Sequence, residues 1–172
     1  ENPIPVIGVV APAGQAAAQA TRNGRVGLIG TQASIRSGAY ERAILTQNGA
    51  IQVLSQACPL LVPLVENGRF LPGDQVAEIV VGEYLSPLKA EGVDTLVLGC
   101  THYPLLKPLI AAYMGPQVTL IDVGEQCAQA VARQLKGEDA LAGDRRAGTC
   151  RYYVSDTVDG FARLAAIFLQ QD

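Results

Sequence analysis

The chain has 172 residues, 49% of them hydrophobic and 17% charged, with a formal net charge of −3. That length and apolar content suit a folded domain with a sizeable core, and the acidic balance excludes the basic stripe of a nucleic-acid surface. No apolar run approaches the roughly 18 residues that cross a bilayer, and Glu1-Asn2-Pro3 lacks the basic start of a signal peptide. No membrane or nucleic-acid partner is expected, and a large apolar chain of this kind is expected in the cytoplasm, where thiols stay reduced. The start lacks Met and opens onto an apolar stretch. A processed chain or a piece of something longer is therefore expected.

In chain order, short β-branched runs alternate with amphipathic segments. Residues 6–10 (Val-Ile-Gly-Val-Val) and 26–30 (Val-Gly-Leu-Ile-Gly) read as strands, residues 35–45 as a helix, and 51–54 as a third strand. Asp74 follows Pro72-Gly73 as an N-cap, and Val76, Ile79, Val80, Tyr84, Leu85 and Leu88 recur at helical spacing until Gly92 stops the helix. Residues 95–99 form the next strand, 105–114 a helix, 118–121 a strand and 125–135 a helix carrying Ala128, Val131 and Leu135. Residues 136–148 read as a surface loop, 152–154 as a last strand, and 158–169 as a helix with Phe161, Leu164, Ala165 and Phe168 on one face. Nearly continuous apolar strands separated by helices mean an α/β fold with a parallel sheet.

Ligands of such sheets bind beyond the carboxyl ends of the strands. Two strand ends carry dense polar residues: Gly99-Cys100-Thr101-His102-Tyr103-Pro104 and Gly30-Thr31-Gln32-Ala33-Ser34. Cys100 stands at a strand tip just before a helix start near Pro104, with the chain's single histidine two residues on. A helix N-terminus and an imidazole both favour a thiolate, so the Cys100 pKa is expected to fall below that of a free thiol. Thr101 adds a hydroxyl, and free backbone N–H groups there can hold a carboxylate. Thr31 and Ser34 form a similar shelf, either as helix caps or as ligand contacts.

The four cysteines, at 58, 100, 127 and 150, show no paired metal-ligand spacing, so no metal is expected. Cys58 lies at a strand end but reads as a packed small hydrophobe, and Cys127 and Cys150 read as structural. Glu66 closes an otherwise apolar segment, as a solvated helix end or as a partner that orients His102.

Gly99-Cys100-Thr101-His102-Tyr103-Pro104-Leu105-Leu106 resembles the second catalytic motif of glutamate racemases, in the aspartate/glutamate racemase superfamily. Val26-Gly27-Leu28-Ile29-Gly30-Thr31 with Ser37-Gly38-Ala39-Tyr40 is similar to that family in the same order. So are Ala57-Cys58-Pro59 through Val65-Glu66, Glu83-Tyr84-Leu85-Ser86-Pro87-Leu88 and Leu120-Ile121-Asp122. The resemblance implies a cofactor-independent interconversion of L- and D-glutamate in bacteria, serving peptidoglycan synthesis. One cysteine thiolate removes the α-proton and a second cysteine's thiol protonates the opposite face. It assigns Cys100 as one of the pair, His102 as assisting its proton traffic and Glu66 as the carboxylate supporting His102. Thr31, Ser34, Thr101 and His102 fall near the substrate, Ser34 standing where the family more often has Thr.

The resemblance also implies two α/β lobes. This chain is then a parallel-sheet lobe with flanking helices and an incomplete first lobe. Residues 1–10 would link the lobes, 11–117 would form the second lobe, and 118–172 would return to complete the first. The family's Asp-Ser-Gly turn, Tyr-Gly pair and Asn-Thr pair beside the other cysteine do not occur here. A missing N-terminal half is therefore an implied partner, the chain alone is expected to be nearly inactive, and a homodimer stays open. Two alternatives stay open as well: an aspartate or other amino-acid racemase, and a non-catalytic lobe that holds an anionic ligand.

Overall fold

Parallel pairing needs crossover connections, and the helices between the apolar runs supply them. A computed structural model describes residues 5–142, 148–149, 151–155 and 158–169. Strands β1 (Arg25–Gly30), β2 (Gln52–Ala57), β3 (Thr95–Leu98) and β4 (Thr119–Asp122) form one sheet in the order β2-β1-β3-β4. All three pairings are parallel, with Ile29 opposite Gln56 on one side and Leu98 on the other.

Helices cover both faces. Helices α1 (Val10–Ala20), α2 (Gln32–Ser37) and α3 (Ala39–Gln47) lie on the side where Ala13, Ala17, Tyr40 and Ile44 pack with Val26, Leu28 and Val97. On the other face α4 (Leu61–Glu66), α5 (Gln75–Ala90) and α6 (Lys107–Met114) bury Leu61, Leu85, Leu88 and Ile110 against Ile29, Leu96 and Leu98. The connection from β1 to β2 runs over the first face and the one from β2 to β3 over the second. The chain therefore reverses direction in the sheet between β1 and β3. That switch point opens a crevice at the carboxyl ends of those two strands.

Local chemistry explains most element boundaries. Asp74 accepts from the N–H groups of Val76 and Ala77 and starts α5, and Asp122 does the same for α7 (Val123–Gly137) through Gly124 and Glu125. The helix expected over residues 35–45 is instead two helices, α2 and α3. Gly38, with φ +62°, ends one and begins the other. Among the described residues no helix is long and apolar enough to cross a membrane.

Two expected strands are corrected. Residues 5–8 are irregular and Val10 opens α1, because an isolated β-branched run finds no ladder partner in a sheet whose four strands pair with one another. Sequence reading missed α1 because its buried face is Ala13, Gly14 and Ala17, too small to give a large-residue periodicity. Those small residues let the helix approach α3 closely: a Cβ on Gly14 would lie 2.9 Å from the Ala43 backbone. Residues 152–154 likewise form no strand, and Tyr153 is 85% exposed. The last helix, α8 (Val158–Leu169), is as expected; the Leu164 side chain and Cys150 lie outside the described residues. The expected division after residue 117 falls between β3 and β4, which are hydrogen-bonded neighbours, with Leu98 opposite Asp122.

Asp94 ties together the amino end of the sheet, opposite the crevice. Its carboxylate accepts from Thr21 Oγ1 at 2.7 Å, Arg22 N at 2.7 Å, Asn23 N at 2.8 Å and Thr95 Oγ1 at 3.0 Å. Burial pushes its pKa up, but these four donors together outweigh that effect and hold the carboxyl below the usual carboxylate range. Asp94→Ala strands two backbone donors and two hydroxyls, and is expected to cost about 2–4 kcal/mol in urea unfolding. Because the folded pKa is depressed, the Asp94 contribution is complete above the unfolded value. It is lost as pH falls through the folded one, so Asp94→Ala should flatten the acid limb of the stability profile. An unchanged acid limb would remove Asp94 from this role.

Candidate active site

The site begins with a residue that has no side chain. The Gly99 N–H donates to Ile29 O at 2.8 Å, extending β3 one step along β1. A Cβ at Gly99 would lie 2.7 Å from that same oxygen, so only glycine lets the two strand ends run this close. Cys100 then leaves the sheet half-buried. The N–H of Tyr103 donates to Cys100 O at 3.2 Å, closing a turn, and residues Tyr103–Leu106 continue as one 3₁₀ turn with Pro104 near its start. Tyr103 is fully buried, and its hydroxyl donates to Cys58 O at 3.1 Å, fastening the turn to the end of β2.

This anchoring sets the side chains of residues 100–102. His102 Nε2 lies 3.3 Å from Glu66 Oε1, and its Nδ1 lies 3.9 Å from Cys100 Sγ and 3.5 Å from Thr101 Oγ1. Glu66 is the last residue of α4, the helix end that the sequence allowed as one of its two readings. A carboxylate facing Nε2 favours the tautomer with its proton on Nε2, leaving the Nδ1 lone pair toward the thiol and hydroxyl. Carboxylate, imidazole and thiol therefore form one line, along which a proton can be passed or a charge stabilised.

Cys100 departs from expectation in one respect. Burial raises its pKa above the ordinary cysteine range, and the Glu66 charge adds to that; the backbone N–H groups of His102 and Thr101 and the Thr101 hydroxyl oppose it without prevailing. The expected lowering fails because burial of the sulfur outweighs the N–H groups of the turn, and its neighbour across His102 is an anion.

The second shelf lies beside the first. Thr31 follows β1 and caps α2, accepting from Ser34 N at 3.2 Å while its hydroxyl donates to Ser34 Oγ at 3.0 Å. A Cβ on Gly30 would meet Ser34 Cβ at 3.3 Å and the Gly99 carbonyl at 3.6 Å, which measures how closely the two strand ends adjoin. Thr31 is thus a helix cap, with Ser34 in the first turn it caps, and both edge the crevice next to Cys100.

Cys58 is packed in the core, as expected. It is fully buried beneath the turn, and burial pushes its thiol up to about 12. Cys127 packs against the N-terminal segment, its Sγ 3.9 Å from Ile7 O. Among the described residues no three His, Cys, Asp or Glu side chains gather as metal ligands would. Two residues near the site escaped the sequence reading of function. Tyr40, buried on α3, places Cε2 3.5 Å from where a Gly99 Cβ would be, and Phe168 of α8 meets His102 edge-on at 5.2 Å. Tyr40 stood in the sequence only as part of the Ser37–Tyr40 motif and Phe168 only on the apolar face of the last helix, and neither position marks the contact.

A parallel sheet with a Cys–His–Glu line and a hydroxyl shelf at its switch point fits one family description in particular. The profile for Asp/Glu/Hydantoin racemase matches residues 1–132, and the chain belongs to this family. The chain is 48% identical over 166 residues to the glutamate racemase of Geobacter metallireducens, covering 96% of this chain and 61% of that protein. It is also 48% identical over 170 residues to the Lactiplantibacillus plantarum glutamate racemase, covering 98% and 61%. Among solved structures, glutamate racemase isoform RacE1 from Bacillus anthracis superposes with a TM-score of 0.88 at 37% identity, covering 98% of this chain and 62% of that one. The Francisella tularensis enzyme, determined in complex with D-glutamate, gives 0.86 at 33% identity, covering 98% and 61%. The chain thus spans about 61% of the length of the curated relatives it matches.

Proposed function

We propose that this chain forms the second-cysteine lobe of a cofactor-independent glutamate racemase that supplies D-glutamate for the peptidoglycan of a bacterium, from its cytoplasm. The observation that carries the reading is the Glu66–His102–Cys100 line standing next to Thr31 and Ser34 at the β1/β3 switch point. The substrate's carboxylates are held by the hydroxyls of Thr31, Ser34 and Thr101 and by backbone N–H groups at the turn after Cys100. Glutamate is favoured over aspartate because the relatives at 48% identity are glutamate racemases.

Inversion needs an acid and a base on opposite faces of the α-carbon. In one direction a thiolate on the far face removes the α-proton, and the Cys100 thiol delivers its own proton to the near face. Cys100 is left as a thiolate beside His102. In the reverse direction Cys100, first deprotonated, is the base. A thiol that is neutral at rest suits the donor role, and His102, oriented by Glu66, shuttles the proton when the roles exchange. The opposing acid–base group comes from the part of the relatives' length that this chain does not span. The division into a linking segment (residues 1–10), a second lobe (11–117) and a returning segment (118–172) belongs to the same proposal, with β4 and α7 shared by this sheet. The exposure of Tyr153 and the lack of a strand at residues 152–154 support a segment whose sheet neighbours lie elsewhere.

The raised Cys100 thiol also favours a second reading, a lobe that holds an anionic ligand without chemistry. One experiment separates the two. L-Glutamate in D₂O is incubated with this chain alone and with the two-lobed protein read from the coding sequence upstream of Glu1. The expected result is α-deuterium incorporation and decay of optical rotation with the two-lobed protein, and neither with the chain alone. Absence of both from the two-lobed protein sinks the racemase reading. Fast racemisation by the chain alone sinks the claim that its site is half of one.

A further inference from the structure

His102 has a further neighbour besides Glu66, Cys100 and Thr101, and it comes from the far end of the chain. Phe168, in the last turn of α8, sets its ring 5.2 Å from the imidazole with the two planes at 88°. The contacts through Nε2 at 3.3 Å and Nδ1 at 3.9 Å and 3.5 Å anchor the imidazole along the line of its two nitrogens. The ring's own freedom is rotation about its Cβ–Cγ bond, and the two contacts at Nδ1 are too long to be strong hydrogen bonds that would oppose it. A second aromatic ring standing perpendicular to the first restricts that rotation. Phe168 is 38% exposed, so burial in a core does not account for its place; the imidazole is the one ring it meets among the described aromatic contacts.

We propose that Phe168 is a positioning residue for His102, holding the imidazole plane so that Glu66 and Cys100 face its two nitrogens at once. An edge-to-face pair carries a coupling equivalent to about a two- to tenfold change in an equilibrium. α8 thereby links the end of the chain to the cysteine at the tip of β3, and the state of that helix bears directly on the chemistry of the site. The inference rests on the reading in which His102 serves Cys100.

The test uses the 172-residue chain, whose single histidine gives one unambiguous set of imidazole resonances. In the unaltered chain a nuclear Overhauser contact between the Phe168 ring and the imidazole protons is expected; its absence overturns the proposal whatever the variants do. Phe168→Leu keeps apolar bulk and removes the ring, whereas Phe168→Tyr keeps the ring. Phe168→Leu is expected to shift the imidazole resonances and change Cys100 alkylation by iodoacetamide about two- to tenfold. Peptide-resolved mass spectrometry reads that rate free of the other cysteines. Phe168→Tyr is expected to retain the wild-type resonances and rate within about twofold. If Phe168→Leu matches wild type with α8 intact by circular dichroism, or if Phe168→Tyr behaves like Phe168→Leu, the proposal fails. None of these readouts uses racemisation, so failure here leaves the racemase reading standing, and failed exchange in D₂O leaves the ring contact standing.

Discussion

In the two-lobed protein, Cys100→Ala is expected to lower racemisation of either enantiomer by about 10²–10⁴-fold, the usual worth of a positioned acid or base. The loss should have a signature that a merely unfolded variant lacks. The opposing base still reaches the α-proton of the one enantiomer that faces it, and solvent deuterium can return to the same side. That enantiomer should exchange its α-proton without inverting, while the other should do neither. The pH dependence has a matching sign. Burial raises the Cys100 pKa, so the direction in which Cys100 is the base gains rate as pH rises, and the direction in which it is the acid is already served at neutral pH. Proton NMR of the α-position with polarimetry checks both statements. Racemisation at the wild-type rate in Cys100→Ala would remove this sulfur from the mechanism.

Gly99→Ala is the second change with a large expected effect, and it acts through backbone. The new Cβ would lie 2.7 Å from Ile29 O, 3.1 Å from Leu28 Cδ1 and 3.5 Å from Tyr40 Cε2. The first of these cannot yield, because Ile29 O already accepts the Gly99 N–H at 2.8 Å and forms the last rung between β1 and β3. The tip of β3 must therefore lift away from β1, carrying Cys100 with it and opening the gap to Thr31. Overpacking of this kind costs about 1–3 kcal/mol, and a displacement near 1 Å at a reacting group lowers turnover about 10²-fold. Gly8→Ala, where a Cβ meets nothing within 4 Å, is the control and should leave both quantities unchanged. Urea titration and initial racemisation rates together decide the matter. Wild-type stability with full activity in Gly99→Ala would mean that the two strand ends do not adjoin as described.

Much of the fold was legible in advance because apolar runs over both faces of a parallel sheet leave a strong signal. The strands near residues 26–30, 51–54, 95–99 and 118–121 appear close to where the pattern puts them, and Asp74 caps α5 by a side-chain bond that its position after Pro72-Gly73 announces. The signal fails where it is carried by size or by partners. The buried face of α1 is alanine and glycine, too small to stand out as a stripe of large apolar residues, and residues 152–154 have strand-forming chemistry but form no β-ladder. Gly38 shows the same limit at shorter range, since only its positive φ reveals that one expected helix is two.

The site divides along the same boundary. The residue types and the order in Cys100-Thr101-His102 are local, as is the cap that Thr31 gives α2, and the sequence alone determines them together with the parallel α/β class. Which groups meet across the chain is a matter of packing. Strand order β2-β1-β3-β4 brings Thr31 beside Cys100, the α4 terminus brings Glu66 to His102, and α8 brings Phe168 to the same ring. The state of the Cys100 proton belongs to this second group. Motif chemistry argues for a thiolate, but desolvation and the Glu66 charge depend on what the tertiary fold places around the sulfur, and they raise its pKa.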